Sequence, residues 1–123
     1  MIESSLWSFL DDELECKVYP LHLPQSPDYP AVTYQQVSRE RHFSHKGFSY
    51  LTTARYQINS WSKSYSEAKG IARDVIEAAR GYSGDMEGIT IGLITVDTET
   101  DSYHEDSGVY QVVVDLIIHY EED

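Results

Sequence analysis

The stretch "RYQINSWSKSYSEAKGIARDVIEAARG", residues 55–81, changes from strand-like to helix-like patterning along its length. Tyr56 and Ile58 alternate with polar residues, which is typical of a half-buried strand. After Ser64, apolar residues recur at helical spacing: Ala68, Ile71, Ala72, Val75, Ile76 and Ala79. The stretch therefore predicts a strand that ends near Ser60, followed by a long amphipathic helix from about Tyr65 to Arg80.

Several residues mark where this helix begins and ends. Ser64, with Glu67 three residues later, has the spacing of a capping box. Arg80 in the last turn complements the helix dipole, and Gly81 can end the helix in a left-handed conformation. Trp61 is expected on the strand face opposite Ile58, where it packs under the start of the helix. A base- or sugar-stacking platform is the alternative for Trp61, although such platforms usually combine several aromatic and basic side chains.

The rest of the chain alternates short strand patterns with turns, and it predicts one α+β domain over residues 1–123. A short first helix runs from Ser4 or Ser5 to about Glu13. The strand patterns are "ECKVYP", "AVTYQQVSRE", "FSYLTTARYQINSW", "GITIGLITVDT" and "GVYQVVVDLIIHY". The predicted order is α-β-β-β-α-β-β, with a mainly antiparallel sheet of about five strands and the long helix packed on one face.

The last strand predicts one buried face and one mixed face. Val112, Val114, Leu116, Ile118 and Tyr120 share a face and are expected in the core. The opposite face alternates polar and apolar residues: Gln111, Val113, Asp115, Ile117 and His119. A half-apolar outer face needs partial cover, and either the first helix or another subunit could supply it.

Charge is segregated along the chain. The formal net charge is 9 − 21 = −12, and all Lys and Arg residues lie between Lys17 and Arg80. That middle segment has nine basic and five acidic residues and is net +4, whereas residues 1–16 are net −5 and residues 81–123 are net −11. This layout argues against general nucleic-acid binding by the C-terminal part. It fits a solvated acidic surface, a contact between like subunits from basic flank to acidic flank, or an acidic wall that faces something the protein must not bind.

No pattern in the sequence indicates catalysis, a metal or a cofactor. His42 and His45 lie in "RHFSHKG", which is predicted to be a basic loop whose cations would repel a metal ion. The acidic segment "DTETDSYHEDSG" has Ser102 and Gly108 where a calcium loop of the EF-hand type needs Gly and Glu, so a solvated hairpin loop is expected. Ser83 and the single cysteine, Cys16, have no correctly spaced catalytic partners. Neither a signal peptide nor a membrane-spanning stretch is evident.

Three segments together resemble the tail-completion proteins of long-tailed bacteriophages and gene transfer agents. They are "PAVTYQQVS", the stretch from "RYQINSW" to "ARGYSG", and "DSYHEDSGVYQVVVDLIIHYEE". The likeness covers roughly residues 17–121 and rests on the order and spacing of the segments, although the acidic terminus "EED" has no place in the family pattern. The resemblance brings no catalytic residues, which favours a structural protein over a small hydrolase using Ser83 or Cys16.

The resemblance implies a tail terminator, a small α+β subunit that forms a hexameric ring on the finished tail tube. The expected partners are other copies of the chain, the major tail tube protein and the head-side connector, with DNA only as passing cargo and no membrane. The expected location is the head–tail interface of a virion assembled in the host cytoplasm. A head-side adaptor or stopper, or a tail-tube subunit, is the alternative. The predicted contact residues form a basic loop and an acidic hairpin loop: Arg39, Arg41, His42 and Lys46, and Asp97, Glu99, Asp101, Glu105 and Asp106.

Overall fold

The computed structural model describes residues 2–43 and 50–122. Its elements are α1 (Ile2–Glu13), β1 (Lys17–Pro20), β2 (Ala31–Phe43), β3 (Tyr50–Ser62), α2 (Tyr65–Ala79), β4 (Gly84–Met86), β5 (Ile89–His104) and β6 (Val109–Glu122). The strands form one sheet in the order β1-β2-β3-β6-β5-β4. Only the β1–β2 pair is parallel, and the other four pairs are antiparallel.

The predicted α+β class and the mainly antiparallel sheet are confirmed, but the sheet has six strands rather than five. The additional strand, β4, has only three residues, Gly84–Met86. So short a segment contains too few positions for an alternating pattern to stand out. β4 pairs with the first residues of β5, where it covers part of the sheet edge.

Two segments predicted as loops are strands. β2 continues through Phe43, so Arg41 and His42 lie on a strand and not in a basic loop. β5 continues to His104, so Glu99 and Asp101 are strand residues and only the turn after His104 remains of the predicted acidic loop. In both cases pairing with a long neighbouring strand extends the element beyond its apolar residues.

Both helices lie on one face of the sheet. The buried residues of β3 and β6 on that face pair across the strands, with Ile58 opposite Val114 and Tyr56 opposite Leu116. They form one hydrophobic cluster with the buried residues of the helices: Ile2, Leu6 and Leu10 of α1, and Ala68, Ala72, Val75 and Ala79 of α2. The five residues of the last strand that were expected in the core are all buried.

The other face of the sheet, called the open face below, is not covered by α1. Its β6 residues are Gln111, Val113, Asp115, Ile117 and His119, which alternate with the buried set. Val113 and Ile117 are only partly buried on this face. Of the two covers that the sequence left open, the first helix is therefore ruled out within one chain, because α1 packs on the opposite face.

The long helix begins and ends near the predicted residues. α2 has Ser64 as its N-cap, and Gly81 follows the C-cap residue with a left-handed φ of 78°. The helix ends at Ala79, so Arg80 is the C-cap residue and does not lie in the last turn as predicted. The backbone after Gly81 then joins the sheet edge, because Ile94 of β5 exchanges hydrogen bonds with Gly81 and Tyr82.

Candidate functional site

The predicted basic contact residues do not form one exposed cluster. Arg39 donates a hydrogen bond from Nη2 to the Glu3 carboxylate of α1 at 2.6 Å, and its side chain is only 16% exposed. Arg41 and His42 are exposed near the far end of β2. Lys46 lies outside the described residues. Arg39 thus has a structural role inside the subunit, because its ion pair with Glu3 connects β2 to the first helix.

The predicted acidic contact residues are divided between the two faces of the sheet. Glu99 and Asp101 pair with Val114 and Val112, which places them on the helix face. Asp97 lies at a β-bulge of β5 and bonds to an arginine of the open face. Glu105 and Asp106 are exposed in the turn that connects β5 to β6.

Glu99 and Asp101 are held by the first turns of α2. Lys69 Nζ lies 3.0 Å from carboxylate oxygens of both Glu99 and Asp101. The Tyr65 hydroxyl donates to Asp101 at 2.6 Å. Its hydrogen bond and that of the ammonium lower the pKa of Asp101, and the two carboxylates in turn raise the pKa of Lys69. These acids therefore fix the helix start against β5.

A cluster of tyrosines lies beside this network. The Tyr110 ring packs against those of Tyr65 and Tyr103, with centroids 5.5 and 4.7 Å away. Tyr65 and Tyr103 remain 44% and 52% exposed. Amphipathic rings that are exposed in this way are common at protein interfaces. Neither Lys69 nor the tyrosines were among the predicted contact residues.

On the open face, charged and polar side chains pair across the strands. Arg55 Nη1 on β3 lies 2.7 Å from Asp97, and this hydrogen bond raises the pKa of Arg55. Thr98 donates to Asp115 of the neighbouring strand at 2.7 Å. These contacts bridge β3, β5 and β6 across the surface that no helix covers.

Trp61 is also on the open face, so the prediction that it packs under the helix start is wrong. Its neighbours Ser60 and Ser62 bond to α2, with Ser60 donating to the Ala68 carbonyl at 2.8 Å. Alternation along β3 therefore turns the Trp61 ring away from the helix. The indole Nε1 instead donates to Thr33 of β2 at 3.0 Å.

The surroundings of Trp61 form a polar chain across four strands. Gln111 donates to the buried Asn59 side chain at 2.8 Å and bonds to His104 at 2.7 Å. The His104 ring lies 5.5 Å from the indole. Thr33 and Asn59 are almost fully buried although both belong to the open face. The sequence places only Arg55 and Lys63 as basic residues near Trp61, and neither indicates this cross-strand network.

The helix start is more elaborate than the predicted capping box. Ser64 Oγ accepts from the Glu67 amide at a long 3.4 Å, as the pattern predicts. Glu67 does not return a bond to the Ser64 amide. Ser62 stands between them, because its Oγ accepts from the Ser64 amide at 3.0 Å and donates to Glu67 Oε1 at 2.6 Å. A buried serine before the N-cap thus completes the cap.

The residues considered for catalysis or metal binding have no suitable partners in the described part of the chain. Burial, together with the nearby Asp74 and Glu67 carboxylates, raises the pKa of the Cys16 thiol to about 11, which disfavours the thiolate. Neither Cys16 nor Ser83 bonds to a histidine within residues 2–43 and 50–122. No group of three or more His, Cys, Asp or Glu side chains that could hold a metal is found among those residues. His45 lies outside them.

One apolar cavity of about 310 Å³ opens at the far end of the sheet. Its lining comes from four strands, β2, β3, β5 and β6, and includes His42, Leu51, Thr53, Gly92 and His119. His119 Nδ1 and the Thr53 hydroxyl are 3.1 Å apart on its wall. No sequence pattern pointed to this cavity, since its lining residues are far apart in the chain.

The order of the segments, the one-sided sheet and the acidic β5–β6 hairpin can now be compared with known proteins. A family model described as "Tail completion protein gp17" matches residues 11–121. The chain belongs to this family. The match covers most of the chain and confirms the resemblance drawn from the three sequence segments. No sequence among the curated proteins matches this one.

A solved structure has the same fold as this chain. A chain of a structure described as "Virion of native gene transfer agent (GTA) particle" superposes with a TM-score of 0.62 at 12% identity. The alignment covers 95% of this tail-completion chain and 84% of the other. At so low an identity the likeness shows a shared fold. The family itself makes this chain a structural tail protein of a virion. No helix among the described residues is long and apolar enough to cross a membrane.

Proposed function

We propose that this tail-completion protein is a tail terminator, one subunit of a hexameric ring that caps the tail tube and offers a docking surface to the head-side connector. The family match over residues 11–121 carries the proposal. The geometry supports it, because a sheet with both helices on one face leaves the other face available to neighbours. The exposed apolar side chains Leu51 and Leu93, 53% and 42% exposed, add to that surface.

The proposed location is the head–tail interface of the virion, with assembly in the host cytoplasm. The ring acts by shape: one side matches the last ring of the major tail tube protein, and the other side matches the connector. DNA passes through the bore without being bound specifically. Six copies carry 6 × −12 = −72 formal charges. Acidic groups that line a bore repel DNA over a Debye length of about 8 Å at physiological salt.

The direct test is imaging of the purified chain mixed with tail tubes from the same particle. We expect rings at tube ends and no further tube growth. Tubes that lengthen or stay bare in the presence of the chain would contradict the proposal. Rings bound only to the connector would instead support the head-side adaptor or stopper.

The basic residues of the proposed contact need a control, because Arg39 also bonds inside the subunit. Arg41→Glu is expected to reduce the number of tails joined to heads. Arg39→Glu alone breaks the pair with Glu3, whereas Arg39→Glu with Glu3→Arg restores it with reversed polarity. If the swapped pair supports normal particles, Arg39 has only a structural role and does not take part in the proposed contact with a neighbouring protein.

The proposed acidic lining is tested by neutralising the residues of each sheet face separately. Glu99→Gln with Asp101→Asn changes the helix face, and Asp97→Asn with Asp115→Asn changes the open face. The set that faces the bore is expected to slow DNA release from the particle. Unchanged release in both sets, and also after Glu105→Gln with Asp106→Asn, would count against an acidic bore.

A tail-tube subunit is the second candidate, and the long strands favour it. β2 and β3 have 13 residues each, and β5 and β6 have 16 and 14, so their ends reach beyond α2. Long hairpins of this kind suit contacts between stacked rings. Polymerisation of the purified chain into tubes without any other protein would establish that alternative.

A further inference from the structure

Two long sheet edges have no strand beside them in the described part of the chain. β1 pairs with β2 only over Ala31–Tyr34, so the outer side of β2 has no neighbouring strand over residues 35–42. β4 pairs with β5 over Ile89–Ile91, and Ile94 bonds to the segment after α2. The outer side of β5 is then without a neighbouring strand over residues 96–104.

Such edges are usually protected in monomeric proteins, because they offer a row of backbone donors and acceptors to other chains. Proline and lysine are common protecting residues, and neither segment contains one. Each segment has a bulge near one end, at Gln36/Ser38 and at Val96/Thr98, but is otherwise regular. The segments also have nearly equal lengths, and their formal charges are opposite, +1 over residues 35–42 and −3 over residues 96–104.

The direction of the strands suits pairing between copies. β2, β3, β6 and β5 are adjacent, and each is antiparallel to the next, so β5 runs antiparallel to β2. A second copy placed beside the first in the same orientation would therefore continue the antiparallel sheet without a break. Contacts of this head-to-tail kind generate a closed ring when the rotation between successive copies closes.

The two edges are offset along the strands by an amount that suits a closed sheet. Ser38, near the middle of the β2 segment, pairs with Arg55, which pairs with Ile117. Ile117 pairs with Thr95, so Ser38 and Thr95 lie at the same height across the sheet. The β5 segment is centred on Thr100, which pairs with Val113, four residues from Ile117 on β6, so the offset is about 14 Å at about 3.4 Å per residue. Over four strands about 4.8 Å apart, this offset corresponds to a strand tilt of about 36°. Closed barrels have strand tilts of about 35–45°.

We propose, on the basis of the ring proposed above, that residues 35–42 of β2 in one copy pair antiparallel with residues 96–104 of β5 in the next copy. The ring is then closed by one continuous sheet, with both helices of every copy on one side of it. The side-chain partners of Arg39 and Arg41 inside the subunit are kept, since strand pairing uses backbone groups.

The centres of the two segments define the expected register. Ser38 stands opposite Thr100, and both belong to the open face, while Arg39 stands opposite Glu99 on the helix face. Ile94, which shares the helix face with Glu99, directs its backbone groups outward to Gly81 and Tyr82. Ser38 and Thr100 therefore form a pair without mutual hydrogen bonds, with Cα atoms about 4.5 Å apart, a distance that permits a disulfide.

Cysteine cross-linking in assembled particles tests this pairing. The variant carries Ser38→Cys and Thr100→Cys in a Cys16→Ser background, and both substituted side chains are exposed, so the subunit fold is retained. Oxidation is expected to give a ladder of covalent multimers up to the copy number of the ring on a non-reducing gel. Each single-cysteine variant, and Arg73→Cys with Thr100→Cys, is expected to remain free of the ladder.

Two further variants pair Ser38→Cys with Thr98→Cys or with Ser102→Cys. Their second cysteine stays on the open face but tests a register shifted by two residues. A ladder from any of the three pairs supports the edge pairing and fixes its register. Particles with normal tails in which all three pairs stay monomeric would overturn the edge pairing and leave the proposed ring intact. If particle tails contain no ring of the unsubstituted chain by native mass measurement, the proposed function itself fails.

Discussion

Replacement of Ser62 by alanine tests the interpretation of the helix start most sharply. Ser62 is 1% exposed, and its hydroxyl serves both the Ser64 amide and the Glu67 carboxylate. Ser62→Ala leaves that amide without its acceptor, which costs about 1 kcal/mol by analogy with a lost N-cap. It also removes a hydrogen bond to a charged group, worth about 1.5–3 kcal/mol. We expect the free energy of unfolding to fall by about 2.5–4 kcal/mol, the sum of the two losses.

The nominal N-cap residue is expected to matter less. Ser64 is exposed, and its bond to the Glu67 amide is 3.4 Å long, so Ser64→Ala should cost about 0.5–1 kcal/mol. Ser66→Ala is the matched control, because Ser66 is exposed and bonds only to the Ser64 hydroxyl. Its effect should stay within about 0.5 kcal/mol.

Urea unfolding and thermal unfolding, both followed by circular dichroism, measure the free energy of unfolding and the Tm of all three variants. With an unfolding entropy of about 2.1 cal/mol/K per residue, a loss of 1 kcal/mol lowers the Tm of this 123-residue chain by about 4 °C. Ser62→Ala should then lower the Tm by about 10–16 °C and Ser64→Ala should lower it by about 2–4 °C. An equal or larger effect of Ser64→Ala would refute the relay through Ser62 and restore the simple capping box.

Three further predictions follow from the pKa shifts. With a pKa of about 11, Cys16 should react at pH 8 about 100-fold more slowly with an aromatic disulfide reagent than the urea-unfolded chain does, and equal rates would contradict its burial. Burial raises the pKa of Tyr56 to about 12, so the folded state holds this proton more tightly and stability falls as pH rises from 10 to 12. Tyr56→Phe should remove roughly 2 kcal/mol of that fall once solvent screening is allowed for, and an unchanged fall would contradict the burial of this hydroxyl. Lys69→Met should move the lowered pKa of Asp101 back toward its ordinary value in an NMR titration, and an unmoved pKa would show that Lys69 does not hold this carboxylate.

The strongly periodic elements could be predicted from the sequence, and the reasons are clear in the structure. α2 and β6 each present one continuous apolar face to the core, so their spacing alone indicates helix and strand. Between residues 97 and 104, β5 has no apolar side of that kind, so its sequence favours a loop. The acids there alternate with Thr and Ser, and this alternation was the available signal for a strand.

The candidate site was harder to predict, because it depends on which face of the sheet each residue occupies. The alternation of side chains along β3 correctly places Trp61 and Ile58 on opposite faces of the sheet. This alternation does not show on which face α2 packs. The hydrogen bond from the Ser60 hydroxyl to the Ala68 carbonyl shows that α2 packs on the Ser60 side, so the Trp61 indole lies on the open face. Likewise, the pairing of Lys69 with two acids 30 or more residues away depends on tertiary contacts that no local pattern contains.

The structure also shows that several acidic side chains of the C-terminal part are paired within the chain. Asp97, Glu99 and Asp101 each have a cation of the same chain within 3.0 Å, so much of their charge is balanced before any partner arrives. Glu105 and Asp106 form no ion pair with the described residues and lie exposed in the β5–β6 turn. Because a partner gains most from charges that are not already balanced, electrostatic attraction to a basic neighbour concentrates at this turn. The strand acids instead set the geometry of β5, on whose outer edge the proposed contact between copies depends.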